Sequence, residues 1–302
     1  YGDHRDLHRL IRRQRQMCIR DRIYTTNGKE ANLYGLETNY GCCTANMHQG
    51  WPKFAAHLWM TTPDGGLAAV AYAPSTVRTV LGGREVSVTL QTRYPFDDIL
   101  DFRIEADRPA AFPLLLRIPA WTQGAWISID QGSRVPVRSG TFHRIEKTWS
   151  GQSRIRMQLP MRLEIERRFN QAVSLKRGPI VYSLNIREYW KILRGKEPHA
   201  DWEVFPASQW NYALEIDPDR PEDRIRFESD DTINGNPFSP EGAPIRLYVN
   251  GRLLPEWTLE KNAAAPPPPS PVHSVQPRTE LELIPYGAAK LRITEFPWIR
   301  PD

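Results

Sequence analysis

From Gly66 onward the chain is a succession of short segments in which apolar and polar residues alternate, separated by turns rich in Gly, Pro and Asn. That pattern admits little besides layered antiparallel β-structure. Residues 84–93 show it most clearly: Val86, Val88 and Leu90 alternate with Ser87, Thr89 and Gln91, the period-two signature of a strand with one buried and one solvated face. Residues 67–73, 76–81, 100–106, 114–118, 126–130, 141–147 and 154–159 read the same way. Turns at Gly82-Gly83 and a corner at Asp107-Arg108-Pro109 separate some of them. Beyond Pro160, strand-like runs fall at 162–168, 173–176, 180–185, 210–216, 245–249, 281–284 and 290–294. Strands of this length and spacing predict a β-sandwich or jelly roll on each side of Pro160. Residues 263–271, with four consecutive prolines, predict an extended surface loop.

The part before Gly66 has a different texture. Residues 23–40 are polar and read as loop, with Asn27-Gly28 as a turn signal. Thr44 is a candidate N-cap for a helix over 45–60, in which Met47, Phe54, Ala55, Leu58 and Trp59 give an imperfect helical period. Pro52, following Gly50, predicts a kink or a second helix start there.

Charge bears on the choice of partner. The formal net charge is +5, but Tyr1 to Arg22 holds seven Arg and three Asp; the rest of the chain carries 33 basic and 32 acidic residues. With no basic stripe left, a nucleic-acid partner is not expected. No apolar run approaches the ~18 residues of a membrane span, so no membrane role is expected either. The stretch Arg15-Gln16-Met17-Cys18-Ile19-Arg20-Asp21-Arg22 resembles translated sequencing-adapter read-through, the alternative being a genuine basic arm. Cys18 is accordingly left out of any site.

The informative segment is Glu37-Thr38-Asn39-Tyr40-Gly41-Cys42-Cys43-Thr44-Ala45-Asn46. Adjacent cysteines rarely pair with each other, because the intervening peptide prevents good disulfide geometry. Outside the basic arm there is no third Cys to serve either of them. A position at a helix start favours the thiolate, which is both nucleophile and soft metal ligand. Two sulfurs do not complete a zinc site, and Glu37 and His48 are the nearest further candidates. The bland reading stays open: two buried small hydrophobes, a solvated Glu37, an exposed His48 and an Asn46 that serves only the helix start.

Cys42-Cys43-Thr44-Ala45-Asn46-Met47-His48-Gln49-Gly50-Trp51-Pro52-Lys53-Phe54 resembles the motif of glycoside hydrolase family 127, the β-L-arabinofuranosidase group. Phe112-Pro113-Leu114-Leu115-Leu116-Arg117-Ile118-Pro119-Ala120-Trp121 is similar to a strand of the same family, as are Leu283-Ile284-Pro285-Tyr286-Gly287 and Leu291-Arg292-Ile293. The resemblance implies a mainly β chain, two tandem β-sandwich (jelly-roll-like) domains preceded by the last helical piece of a truncated (α/α)₆ barrel. It divides the chain into a non-native segment 1–22, a barrel remnant 23–63, a first sandwich 64–160 and a second sandwich 161–302.

The resemblance further implies a retaining glycosidase in which Cys42 is the nucleophile and Cys42 and Cys43 ligate Zn²⁺. Its general acid/base and remaining zinc ligands come from upstream sequence, so this chain alone is expected to be inactive. The expected partner is an oligosaccharide or glycoside substrate; the oligomeric state, a homodimer included, is open, and cytoplasm and periplasm both suit a bacterial enzyme of this kind. A non-catalytic carbohydrate-binding or scaffolding module is the main alternative, with Trp121, Trp126, Trp149, Trp190, Trp202 and Trp210 as candidate sugar platforms. A thiol redox or metal-handling role for the vicinal pair is the third.

Overall fold

The computed structural model describes residues 33–34, 41–233, 235–260 and 263–301, and within the first helix it describes side chains from Gln49 on. These residues divide into two compact units. The first comprises Cys42–Arg162 with Arg177–Pro179; the second comprises Leu163–Lys176 and Ile180–Asp302, together with the short strand Leu33–Tyr34. Strand β1 is Leu33–Tyr34, where a loop was expected, and helix α1 is Gly41–Ala56.

Helix α1 begins earlier and ends earlier than residues 45–60. Thr44 is therefore inside the helix and not its N-cap. The helix closes in a tight turn, with His57 and Leu58 N–H groups donating to the carbonyls of Phe54 and Ala55, because Trp59 onward is claimed by a strand. Pro52 lies within it, and its missing N–H leaves the carbonyl of residue 48 without the usual intrahelical donor.

In the first unit follow β2 (Trp59–Thr61), β3 (Leu67–Ala69), β4 (Ser75–Leu81), β5 (Arg84–Thr92), β6 (Ile99–Ile118), β7 (Trp126–Ile129), β8 (Val135–Pro136) and β9 (Thr141–Gln158). They form one eight-stranded sheet in the order β2-β3-β6-β9-β7-β8, with β5 also on β6 and β4 on β5. The runs 100–106 and 114–118 are two arms of the single strand β6, and 141–147 and 154–159 are two arms of β9. The ladder continues through the expected corner as a bulge. Ala106 pairs with Gly151 and Ala110 with Trp149, so residues 107–109 stand opposite Ser150 alone. A bulge tolerates Pro109, which has no N–H to give a ladder.

Every even-numbered residue of β6 from Leu100 to Ala106 and from Ala110 to Ile118 is buried, and all belong to one core. The same face of the strand thus lines the core before and after the corner, as required of a sheet folded over on itself. The N-terminal arm pairs with β5 and the C-terminal arm with β3. Where β3 approaches, a Cβ on Gly66 would lie 2.6 Å from both Cγ and the carbonyl oxygen of Pro113, so only glycine fits. Trp149 sits at the fold line with no exposed surface. Its Nε1–H donates to the Phe112 carbonyl at 3.1 Å, and its ring lies 5.8 Å from that of Phe112.

The second unit contains β10 (Leu163–Arg167), β11 (Val173–Arg177), β12 (Ile180–Leu184), β13 (Glu188–Arg194), β14 (Asp201–Pro206), β15 (Tyr212–Glu215) and β16 (Ile225–Ser229). After them come β17 (Ile245–Leu253), β18 (Leu259–Glu260), β19 (Ala263–Ala264), β20 (Arg278–Pro285) and β21 (Trp298–Ile299). Its main sheet has eight strands in the order β10-β11-β12-β20-β17-β15-β21, with β16 also on β17. A separate three-stranded sheet runs β1-β14-β13. The chain is mainly β, as expected.

Besides β1, six strands of this unit, β13, β14, β16 and the two-residue β18, β19 and β21, have no counterpart in the sequence reading. Residues 290–294, expected as a strand, run beside β12 without a regular ladder, held by Leu184 N–H donating to the Ile293 carbonyl and Ile293 N–H to Ser183 Oγ. The proline-rich run is not wholly a surface loop: Ala263, Ala264 and Pro267 are buried, and Asn170 Nδ2 donates to the Pro267 carbonyl at 2.9 Å.

Glu215 anchors this unit electrostatically. Its carboxylate is 3% exposed and receives both Nε (2.6 Å) and Nη2 of Arg278. These hydrogen bonds hold its pKa below the ordinary carboxylate value against the opposing effect of burial.

Two outcomes follow. Trp149→Ala should cost about 3–5 kcal/mol, since it empties the fold line and orphans a buried carbonyl; urea unfolding checks this, and a loss below ~1 kcal/mol would contradict the folded-sheet account. Because the Glu215 pKa is depressed, the stability it contributes is fully present above its unfolded value near 4.5 and is lost as pH falls through the folded value. Glu215→Gln should flatten that acid limb and cost about 2 kcal/mol at neutral pH, less than the ~3–5 kcal/mol of a fully buried broken pair because Arg278 is half exposed. Unfolding midpoints measured from pH 7 downward read both effects.

Candidate functional site

Glu37 lies outside the described residues, as does Cys18. Cys42, Cys43, Asn46 and His48 are on α1, their backbones helical and their side chains outside the described set. The helix starts at Gly41, so both cysteines fall among the first four residues, whose N–H groups have no acceptor further back in the helix. No Asp or Glu occupies that first turn. Cys42 and Asn46 stand at i and i+4, positions that share a helix side.

Further along, the helix surface is fully described and entirely exposed from Gln49 to His57. Lys53 Nζ donates to Gln49 Oε1 at 3.2 Å, and His57 Nδ1 lies 2.6 Å from the Lys53 carbonyl. Trp51 and Phe54 meet edge-on with centroids 6.5 Å apart, yet are 61% and 43% exposed. Below them Leu58 is buried, and its carbonyl accepts from Val70 N–H at 2.9 Å. The helix is thus moored to the first unit at its C-terminal end while its aromatic pair faces outward.

Two thiols suit a soft metal such as zinc, but they are two of the four ligands a structural site needs. Among the described residues no group of three or more His, Cys, Asp or Glu side chains could hold a metal ion. The described residues do not by themselves make a zinc site.

The tryptophans divide clearly. Trp149, Trp210, Trp257 and Trp298 are buried, and Trp59 and Trp121 pack against the first core. Trp126 is covered by Arg134, whose guanidinium lies 4.2 Å from its ring centroid. Trp190 and Trp202 meet at 6.0 Å, with Tyr34 5.3 Å from Trp190. That trio, assembled from three strands of one sheet, left no spacing signal; only the pairing of β1, β13 and β14 brings it together.

Residues 66–161 match the sequence family described as beta-L-arabinofuranosidase, GH127 middle domain. That stretch is similar to a GH127 middle domain. It contains the fold line of β6 and β9 and most of the first unit's core. The solved structures agree in fold. A GH127 β-L-arabinofuranosidase from Geobacillus stearothermophilus T6 matches with TM-score 0.58 and 22% identity over 86% of this chain. A structure described as a glycoside hydrolase matches with TM-score 0.59 and 21% identity, again over 86%. A GH127 β-arabinofuranosidase matches with TM-score 0.55 and 16% identity over 86%. The chain spans 37%, 40% and 38% of their respective lengths. A search of curated proteins finds no match. The resemblance carried by the Phe112 to Trp121 strand of the middle domain is therefore borne out.

Because Trp51 and Phe54 are unburied, replacing both with Ser should change the stability of the chain by no more than ~0.5 kcal/mol while lowering binding of an apolar dye such as ANS. A loss of several kcal/mol in thermal or urea unfolding would mean that the pair packs against the protein after all.

Proposed function

We propose that this chain is the nucleophile-bearing C-terminal portion of a retaining glycoside hydrolase acting on L-arabinofuranosides or related plant-type glycans. One observation carries the reading: a helix whose first turn holds Cys42-Cys43 leads, within one β-turn and a short strand, into a GH127 middle domain.

Cys42 is the nucleophile in this reading. Its thiolate forms a C–S bond to the anomeric carbon as the glycosidic C–O bond breaks, and the departing oxygen takes a proton from a general acid. Water then displaces the thiolate from the opposite face, giving net retention. The free N–H groups of the first helical turn stabilise the thiolate in both displacements. In this reading Asn46, one turn along the helix, orients the thiol or the sugar. When bound by Cys42 and Cys43 with further ligands, zinc keeps the thiols deprotonated at neutral pH.

Neither the general acid nor those further ligands is assigned among the described residues, so the chain by itself is inactive in this reading. Purified alone, it should release no sugar from an aryl L-arabinofuranoside above the buffer rate. Joined to a GH127-type helical domain, it should hydrolyse the same substrate, with Cys42→Ser lowering kcat at least about 10³-fold. Turnover by the chain alone sinks the inactivity; undiminished turnover in Cys42→Ser sinks the nucleophile.

A further inference from the structure

A cleft of about 780 Å³ is built wholly from the second unit. Its size falls within the ~300–1,000 Å³ of small-ligand sites, but its lining is unlike an apolar ligand pocket. On one wall Glu282 projects from β20. Its Oε2 accepts from Asn185 Nδ2 at 2.8 Å, and its Oε1 is ion-paired with Arg246, 2.8 Å from Nε. The carboxylate is thereby fixed in orientation, sharing Arg246 with Asp230, whose Oδ2 lies 3.4 Å from Nη1. Each oxygen keeps a further lone pair for a hydroxyl donor.

The opposite rim is equally fixed. Arg187 N–H donates to Ser208 Oγ at 3.0 Å, and Ala207 N–H to the Arg187 carbonyl at 2.7 Å. These bonds clamp the two loops that lead into and out of the β13–β14 hairpin. Arg187, Gln209 and Tyr212 line this side, and among the described residues their side-chain polar atoms make no hydrogen bond. Tyr189, on β13 two residues beyond Arg187, is 59% exposed.

This combination selects its ligand. An oriented carboxylate acceptor, free amide and guanidinium donors, a phenol and a neighbouring exposed aromatic ring suit a polyhydroxylated ring with one apolar face. The second carboxylate of the cleft, Glu280, is also paired, with Arg226 Nη2 at 3.3 Å.

We propose that this cleft is a carbohydrate-binding subsite for a neutral arabinosyl oligosaccharide whose binding does not require the Cys42 thiol. The site stands on its own geometry; only the choice of arabinosyl sugar rests on the function proposed above. Calorimetric titration of the whole chain with short L-arabino-oligosaccharides tests it. Saturable binding is expected, unchanged in Cys42→Ser, weakened about tenfold in Glu282→Gln and about two- to tenfold in Gln209→Ala. Gln209 is exposed, so its variant should keep the wild-type melting temperature and report on the cleft even where Glu282→Gln disturbs Arg246. Absence of saturation, or equal binding by both cleft variants, overturns the proposal. Preference for an acidic oligogalacturonate overturns the assignment of a neutral ligand, drawing instead on Arg187. Failure of Cys42-dependent hydrolysis leaves these binding results untouched, so the two readings fail separately.

Discussion

The first unit depends on the bulge that sets residues 107–109 against Ser150. Two strands of 20 and 18 residues are far longer than the usual five or six, and a flat ribbon of that length would leave one apolar face without cover. The bulge supplies the bend and the extra local twist that turn the ribbon back over itself. Burial on alternate residues of β6 keeps one parity on both sides of the bend, so a single apolar face becomes both walls of one core. Trp149 fills the inside of the bend. Gly66 lets β3 close on Pro113, a residue that cannot donate to a ladder itself. Core, register and glycine choice all follow from that one irregularity.

Much of this was legible in the sequence where burial is one-sided. In β5, Val86, Val88 and Leu90 are buried in the structure as their alternation requires. Residues 107–109 were correctly marked as a break in direction but wrongly as a break in the strand, because turn residues look alike whether the ladder stops or merely kinks. The missed strands fail for a physical reason. Tyr189, Trp190, Ile192 and Leu193 on β13 are all exposed, so apolar residues occupy both faces and no period-two pattern arises. Residues 290–294 carry an apolar run because they are buried beside β12, not because they pair in a ladder. Buried extended chain and true strand share a composition.

The candidate site was legible only in part, for a different reason. Two adjacent cysteines before a helical segment are a local signal, and the helix start at Gly41 puts them where local physics favours a thiolate. A ligand set, an acid and a sugar pocket are non-local: they are assembled from residues far apart in sequence, as the Asn185, Arg246 and Glu282 network shows on a small scale. No spacing rule finds 185, 246 and 282 together. The pairing of β20 with β12 and β17 does.

The energetics of α1 link fold to function. A 16-residue helix is barely longer than the ~12–15 residues below which isolated helices are marginal in water, and this one contains Gly50 and Pro52, which cost about 1 and about 3 kcal/mol relative to Ala in a helix interior. Residues 49–57 gain nothing from burial among the described residues, since all are exposed. A sequence chosen for the stability of this segment alone would not hold Gly and Pro in mid-helix or Trp51 and Phe54 on its surface. Such choices make sense when neighbouring protein covers the aromatic pair and repays the helix for its weak intrinsic propensity. That is the setting a first-turn thiolate needs as well, because the free N–H groups that stabilise it act strongly only when water is kept away. The cover that would stabilise the helix would thus also strengthen the electrostatics on which a cysteine nucleophile relies.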